Sequence, residues 1–251
     1  MMWRLLLTIL CVAMLTGCAS SGGQGTGNKQ NAAQLNVELG LGYLRQGRPK
    51  LALDNLQRAI ELDPRLADAH HYAAEAYRQL QQYARAEEHF AKALRLAPKD
   101  SALKNNYAIY LCEREKFKEA DKYFVGAASD KFYTGSAEAM ENAGVCARKN
   151  GDNALASERF HQALNYDGRR SRALYQLAEL EYEQGKYREA QGLMERYFNV
   201  AKTSAPALWL AIRIEHELGN EARVRVYATD LHRNYPNSKE VEAFKRFWAD
   251  R

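Results

Sequence analysis

The chain has 251 residues, enough for one large domain or an array of smaller units. Its 36 Lys and Arg against 31 Asp and Glu give a formal charge of +5, and no Lys/Arg-rich run concentrates it, which argues against nucleic acid as a partner. Five prolines leave room for long helices.

Arg4 is the only charged residue before Lys29, and Leu5 to Leu15 is an apolar run broken only by Thr8. A helix needs ~20 apolar residues to cross a bilayer core, so this run is too short to span. A positive start, a short apolar stretch and then small residues is the layout of a secretory signal. Leu15-Thr16-Gly17-Cys18 resembles the lipobox of bacterial lipoproteins. That resemblance implies a signal peptide over 1–17, cleavage before Cys18, and acylation of Cys18, whose thiol is the nucleophile that takes the lipid. The alternative is an ordinary signal with a chance cysteine. Each buried CH₂ of an acyl chain contributes about 0.8 kcal/mol, so several chains give firm attachment. The next residues, "ASSGGQGTGN", cannot bury a core, and 18–32 is expected to be the lipidated cysteine and a flexible tether. Ala19 is not acidic, which in lipoproteins of this type implies the outer membrane, facing the periplasm.

From residue 33 onward the chain repeats itself. Tyr43 and Tyr77, Ala52 and Ala86, Ala59 and Ala93, and Pro64 and Pro98 are each one period of 34 apart, and Ala120, Phe124 and Ala127 continue the series. The phase slips by two residues near Gly135-Ser136 and resumes at Ala156, Phe160 and Ala163. The pattern resembles the tetratricopeptide repeat, a helix–turn–helix unit. Six units tile 33–66, 67–100, 101–134, 137–170, 171–204 and 205–238. The resemblance implies an all-α, right-handed superhelical solenoid. Small residues at the eighth position (Gly40, Ala74, Ala108, Gly144, Ala178) let the two helices of a unit, A and B, approach closely. Large residues at the twenty-fourth (Leu56, Phe90, Phe124, Phe160, Met194) fill the space between units. Gly47, Gly151, Gly185 and Gly219 fall in the turn between A and B, where a positive φ is cheap for glycine. Pro64, Pro98 and Pro236 stop helix B. The sixth unit departs most, with Ile212 in the small slot and Val224 where alanine stands elsewhere. Terminal units face a cap, and 239–251, with Val241, Phe244, Phe247 and Trp248 on one face, reads as a capping helix.

Catalytic motifs are missing from the sequence. It contains no HExxH, GxSxG, phosphate-binding glycine loop or CxxC. His70 and His71 are neighbours, so they point to different sides of a helix and cannot clamp a metal. The chain reads as a non-enzyme with no cofactor, no metal and no small-molecule substrate. Cys11 leaves with the signal. Cys112 and Cys146 fall on the A helices of consecutive units, where they can form a disulfide in an oxidising compartment or remain buried thiols.

In this family a partner binds along the A helices, at positions 2, 5, 9, 12 and 13 of each unit. The second unit supplies Asp68, His71, Glu75, Arg78 and Gln79, the fourth Glu138, Glu141, Val145, Arg148 and Lys149, and the fifth Arg172, Tyr175, Glu179, Tyr182 and Glu183. The first unit differs, with Gln34, Val37, Leu41, Leu44 and Arg45. Exposed contiguous apolar surface marks interaction sites, so Val37, Leu41, Leu44 and Arg45, with His71 alongside, are the expected partner-binding residues.

A lipobox, six such repeats, two mid-array cysteines and no enzyme motif together resemble the pilotin lipoproteins of type IV pilus systems. The resemblance implies that the chain binds subunits of the secretin, the outer-membrane ring of the pilus, and promotes their localisation and multimerisation. The rival readings are a lipoprotein scaffold for peptidoglycan enzymes, a hydrolase with a Cys or His nucleophile, and a solute or glycan binder using Tyr175, Tyr182 and Trp209.

Overall fold

The computed structural model describes residues 22–249, with side chains from Gly27 onward. The described residues form thirteen helices and no strand. They divide into two compact units, Met1–Lys99 and Asp100–Arg251. The first holds the helix pairs α1 (Gly22–Arg45) with α2 (Pro49–Leu62), and α3 (Ala67–Gln79) with α4 (Tyr83–Leu96). The second holds α5 (Ser101–Glu113) with α6 (Phe117–Ala128), α7 (Ser136–Lys149) with α8 (Asn153–Tyr166), α9 (Ser171–Glu183) with α10 (Tyr187–Val200), and α11 (Ala205–Glu217) with α12 (Glu221–Asn234). The closing helix is α13 (Lys239–Ala249).

The pairs form because each helix carries a narrow buried stripe of small residues facing a large one. Ala52, Ala86, Ala120, Ala156 and Ala190 are fully buried, as are Leu56, Phe90 and Phe160. The approach is closest where the eighth position is glycine. A Cβ on Gly40 would stand 2.6 Å from Leu56 Cγ, and one on Gly144 2.6 Å from Phe160 Cε1. The Leu56 side chain can turn away, whereas the Phe160 ring is rigid.

Every A helix ends alike. The N–H five residues past an A-helix carbonyl returns to it: Arg48 to Tyr43, Gln82 to Tyr77, Lys116 to Leu111, Asp152 to Ala147, Lys186 to Glu181 and Asn220 to Glu215, all at 2.8–3.0 Å. This bond requires a left-handed residue just before its donor. Gly47, Gly151, Gly185 and Gly219 supply it with φ of 68–78°. In the second and third repeats the same place is held by Gln81 (φ 58°) and Glu115 (φ 61°), where a side chain makes the conformation costly.

Two features depart from the sequence reading. The segment 22–32, expected within the tether, is helical and forms the start of α1. Ala33–Arg45 supplies a nucleated helix, and adding turns to an existing helix is far easier than starting one. The two-residue slip becomes a longer link, 129–135, that is itself ordered. Asp130 accepts from the Ser101 hydroxyl and the Phe132 N–H, and Ser136 donates to the Tyr133 carbonyl.

The last repeat accommodates its larger residues through the cap. Val241 of α13 joins Ala205, Leu208, Ile212, Val224 and Leu231 in one buried cluster, with Phe244 and Trp248 against it.

Candidate functional site

On α1 the burial pattern corrects the expected binding patch. Ala33, Val37, Gly40 and Leu44 form one stripe, and Val37 is 2 % and Leu44 8 % exposed, so both are core residues of the first helix pair. Leu41 is half-buried and Arg45 exposed. The apolar residues that α1 turns outward are Leu35, 57 % exposed, and Leu39, 47 %. They stand one turn apart on the same face.

His71 is also buried, at 3 % exposure, and stacks on Tyr72 with centroids 4.7 Å apart. In the first four repeats the fifth position is a packing position. Asn105 and Glu141 occupy it in the next two repeats and are equally buried. Each is satisfied from a neighbouring element: Asn105 accepts from Asn142 at 3.4 Å, and Glu141 accepts from the Arg170 guanidinium at 2.9 and 3.2 Å.

His70 pairs with His89, Nδ1 to Nδ1, at 3.2 Å, and its Nε2 lies 3.1 Å from the Pro64 carbonyl. The carbonyl only accepts, so Nε2 carries the proton and Nδ1 of His70 accepts from His89. Burial lowers both pKa values. Lys92 and Arg95 add to this at His70, and His70 and Lys92 at His89. The Pro64 carbonyl at His70 and Glu88 at both rings oppose it.

In the second unit a disulfide joins Cys112 of α5 to Cys146 of α7, with Cα atoms 5.8 Å apart. The Arg159 guanidinium donates to both oxygens of Asp121, at 2.7 and 2.8 Å, tying α8 to α6. Arg148 of α7 reaches α9 by donating to Glu179 at 2.7 Å, Glu183 at 3.1 Å and Gln176 at 3.3 Å. Beyond Arg148 the exposed face becomes aromatic. Tyr175 and Tyr182 of α9 and Trp209 of α11 are half-buried. Burial, and then the nearby Glu179, push the Tyr175 phenol up to about 12, so it stays a neutral hydrogen-bonding group. The Arg213 guanidinium lies over the Tyr182 ring at 4.7 Å and the Trp209 ring at 5.6 Å. Phe247 of α13 meets Trp209 edge-on at 5.7 Å. The sequence reading missed Arg213; its ninth position in the sixth repeat would have identified it.

Among the described residues no cluster of three metal-ligating side chains exists, and no helix is long and apolar enough to cross a membrane. Cys18 and the lipobox lie outside the described residues.

Two tetratricopeptide-repeat profiles match residues 37–101 and 147–224. An uncharacterised protein of Haemophilus influenzae is 31 % identical over 144 residues, 57 % of this chain and 80 % of that protein. The chain belongs to the tetratricopeptide-repeat family. Within that family it is homologous over nearly its whole length to a protein of the type IV pilus. It is 28 % identical to the type IV pilus assembly protein PilF of Pseudomonas aeruginosa over 246 residues, 96 % of this chain and 98 % of PilF. The solved structure of P. aeruginosa PilF superposes with a TM-score of 0.76 at 27 % identity, covering 89 % of this chain and all of that one. The structure of PilW, a widely conserved type IV pilus biogenesis factor, superposes with a TM-score of 0.72 at 28 % identity, covering 84 % and 97 %.

Proposed function

We propose that this chain is a pilotin of a type IV pilus system, a lipid-anchored protein that binds secretin subunits and promotes their multimerisation in the outer membrane. The observation that carries the reading is the end-to-end likeness to PilF, matched in fold by PilF and PilW. The lipobox-like Leu15-Thr16-Gly17-Cys18 supports an acyl anchor at Cys18 on the periplasmic face of the outer membrane. A helical-repeat fold without a catalytic motif suits a protein whose work is binding. Secretin subunits held by anchored copies are concentrated on a surface, and the raised effective concentration favours ring closure.

The docking surface we assign is the outer face of α1, with Leu35 and Leu39 as anchors. Two exposed leucines one turn apart suit an apolar segment of the partner. They take the place of Val37 and Leu44, which hold the first helix pair together.

Deleting the gene in its host and scoring the secretin on an unboiled gel tests the function. Loss of the multimer is the expected result. Normal multimers in the deletion strain would overturn it and favour the scaffold for peptidoglycan enzymes. Cys18→Ala is expected to release the protein from the outer membrane, read by fractionation.

A further inference from the structure

Inside the second repeat each helix brings one imidazole to the other, His70 from α3 and His89 from α4. Their Nδ1 atoms face each other at 3.2 Å, with ring centroids 5.3 Å apart. The proton that His89 donates lies between them. Two imidazole nitrogens that meet over one proton can instead present two lone pairs to a divalent cation. The spacing selects the ion. Two nitrogens bound at 2.0–2.1 Å to a tetrahedral zinc stand about 3.3–3.4 Å apart. Neighbouring nitrogens of a square-planar copper site, at a right angle and similar bond length, stand about 2.9 Å apart. The observed 3.2 Å is the closer match to zinc.

His70 is already set as a ligand. Its Nε2–H donates to the Pro64 carbonyl at 3.1 Å, which leaves the lone pair on Nδ1. A bond of this kind from the far ring nitrogen orients histidines that bind metals. His89 is half-buried, and the torsion that turns its ring is soft, so its Nδ1 can be aimed at the same point. Burial keeps both rings neutral, the form that ligates. The charges nearby work both ways. Exposed Glu88 acts on both rings and favours a cation, whereas Lys92 acts on both and Arg95 on His70 to oppose one.

We propose that His70 and His89 form a zinc site within the second repeat, with the two Nδ1 atoms as protein ligands and water completing the tetrahedron. On binding, the Nδ1 proton of His89 goes to solvent and Nε2 takes one up, so the ring stays neutral. With two protein ligands the site holds zinc reversibly, unlike the closed four-ligand sites of zinc fingers. The ion joins α3 to α4. Only the folded chain brings the two rings together, so zinc stabilises the Met1–Lys99 unit. The site rests on neither the assignment of α1 nor the pilotin reading.

The test titrates the purified, chelator-treated protein with Zn²⁺ at neutral pH, with calorimetry for binding and NMR for the imidazole nitrogens. Saturation at one ion per chain is expected. His89 should switch from the Nδ1–H to the Nε2–H tautomer, while His70 keeps its proton on Nε2. His70→Gln and His89→Gln should each weaken binding by at least the ten- to hundredfold that losing an outer-shell partner costs a metal site. His161→Gln and His232→Gln, at exposed histidines, should leave binding unchanged. The tautomer switch is read in the unaltered protein, so it decides the matter even where a variant fails to fold. An unchanged His89 tautomer at saturation, undiminished binding by a folded His70 or His89 variant, or no saturable binding would overturn the proposal.

Discussion

The Met1–Lys99 and Asp100–Arg251 units are built from the same helix pair, yet they carry different kinds of cohesion. The second has a covalent link, Cys112–Cys146, and ionic ties between successive repeats, by Arg159 to Asp121, Arg148 to Glu179 and Arg223 to Glu195. The first carries a neutral histidine pair inside its second repeat and two leucines on the outside of α1. The repeat sets the scaffold, and the residues it leaves unspecified divide the labour. One unit is reinforced, and the other presents the apolar surface.

The largest effect that would break this contrast lies in the disulfide. A closed loop spanning a 34-residue separation is worth about 3–4 kcal/mol on the chain-entropy model. Cys112→Ser with Cys146→Ser is expected to lower the Tm of the second unit by about 10 °C. Hydrogen exchange in α1–α4 should stay unchanged. An unaltered Tm would show that the ionic ties alone suffice.

The histidine pair sharpens the contrast from the other side. The folded chain holds His70 and His89 neutral at a pH where an unfolded histidine charges. The unfolded state then binds more protons, and folding stability falls as pH drops below about 6.5. Lys92 and Arg95 reinforce this and Glu88 opposes it. Amide protection factors in α3 and α4, which take out the intrinsic pH dependence of exchange, should fall as pH drops below about 6.5, and His89→Gln should flatten that dependence. An equal loss of protection in α7–α10 would contradict an origin in the pair.

The smallest effect is one both units should share. Gln81→Gly and Glu115→Gly remove a side chain from a left-handed residue and are expected to stabilise by about 0.5 kcal/mol each, whereas Gly185→Ala costs about 1 kcal/mol. Denaturant melts of the three variants measure this. Destabilisation by Gln81→Gly would show that its side chain holds the turn in some other way.

Much of the scaffold was legible because a 34-residue period leaves a mark at every position that must be small, large or left-handed. Gly47 and Gly151 announced their turns, and counting from them would have found Gln81 and Glu115. The binding face was less legible. Val37 and Leu44 are apolar whether they face a groove or a core, and one sequence does not say which. His71 was read as a groove residue although its fifth position is packed. The cysteines held the missing signal. If the twelfth position of one repeat meets the tenth of the next, side chains at the fifth and sixth lie between the same helices. The ninth position of the sixth repeat marks Arg213 as a groove residue, but nothing in the sequence shows the two aromatic rings against it.

The measurement closest to the central claim is the unboiled-gel assay of the secretin in a host carrying Leu35→Asp with Leu39→Asp. Both residues are exposed, so the fold and the protein level should be unchanged. The account predicts loss of the secretin multimer, as in the deletion strain. Normal multimers at normal protein level would contradict the assignment of α1 as the docking face.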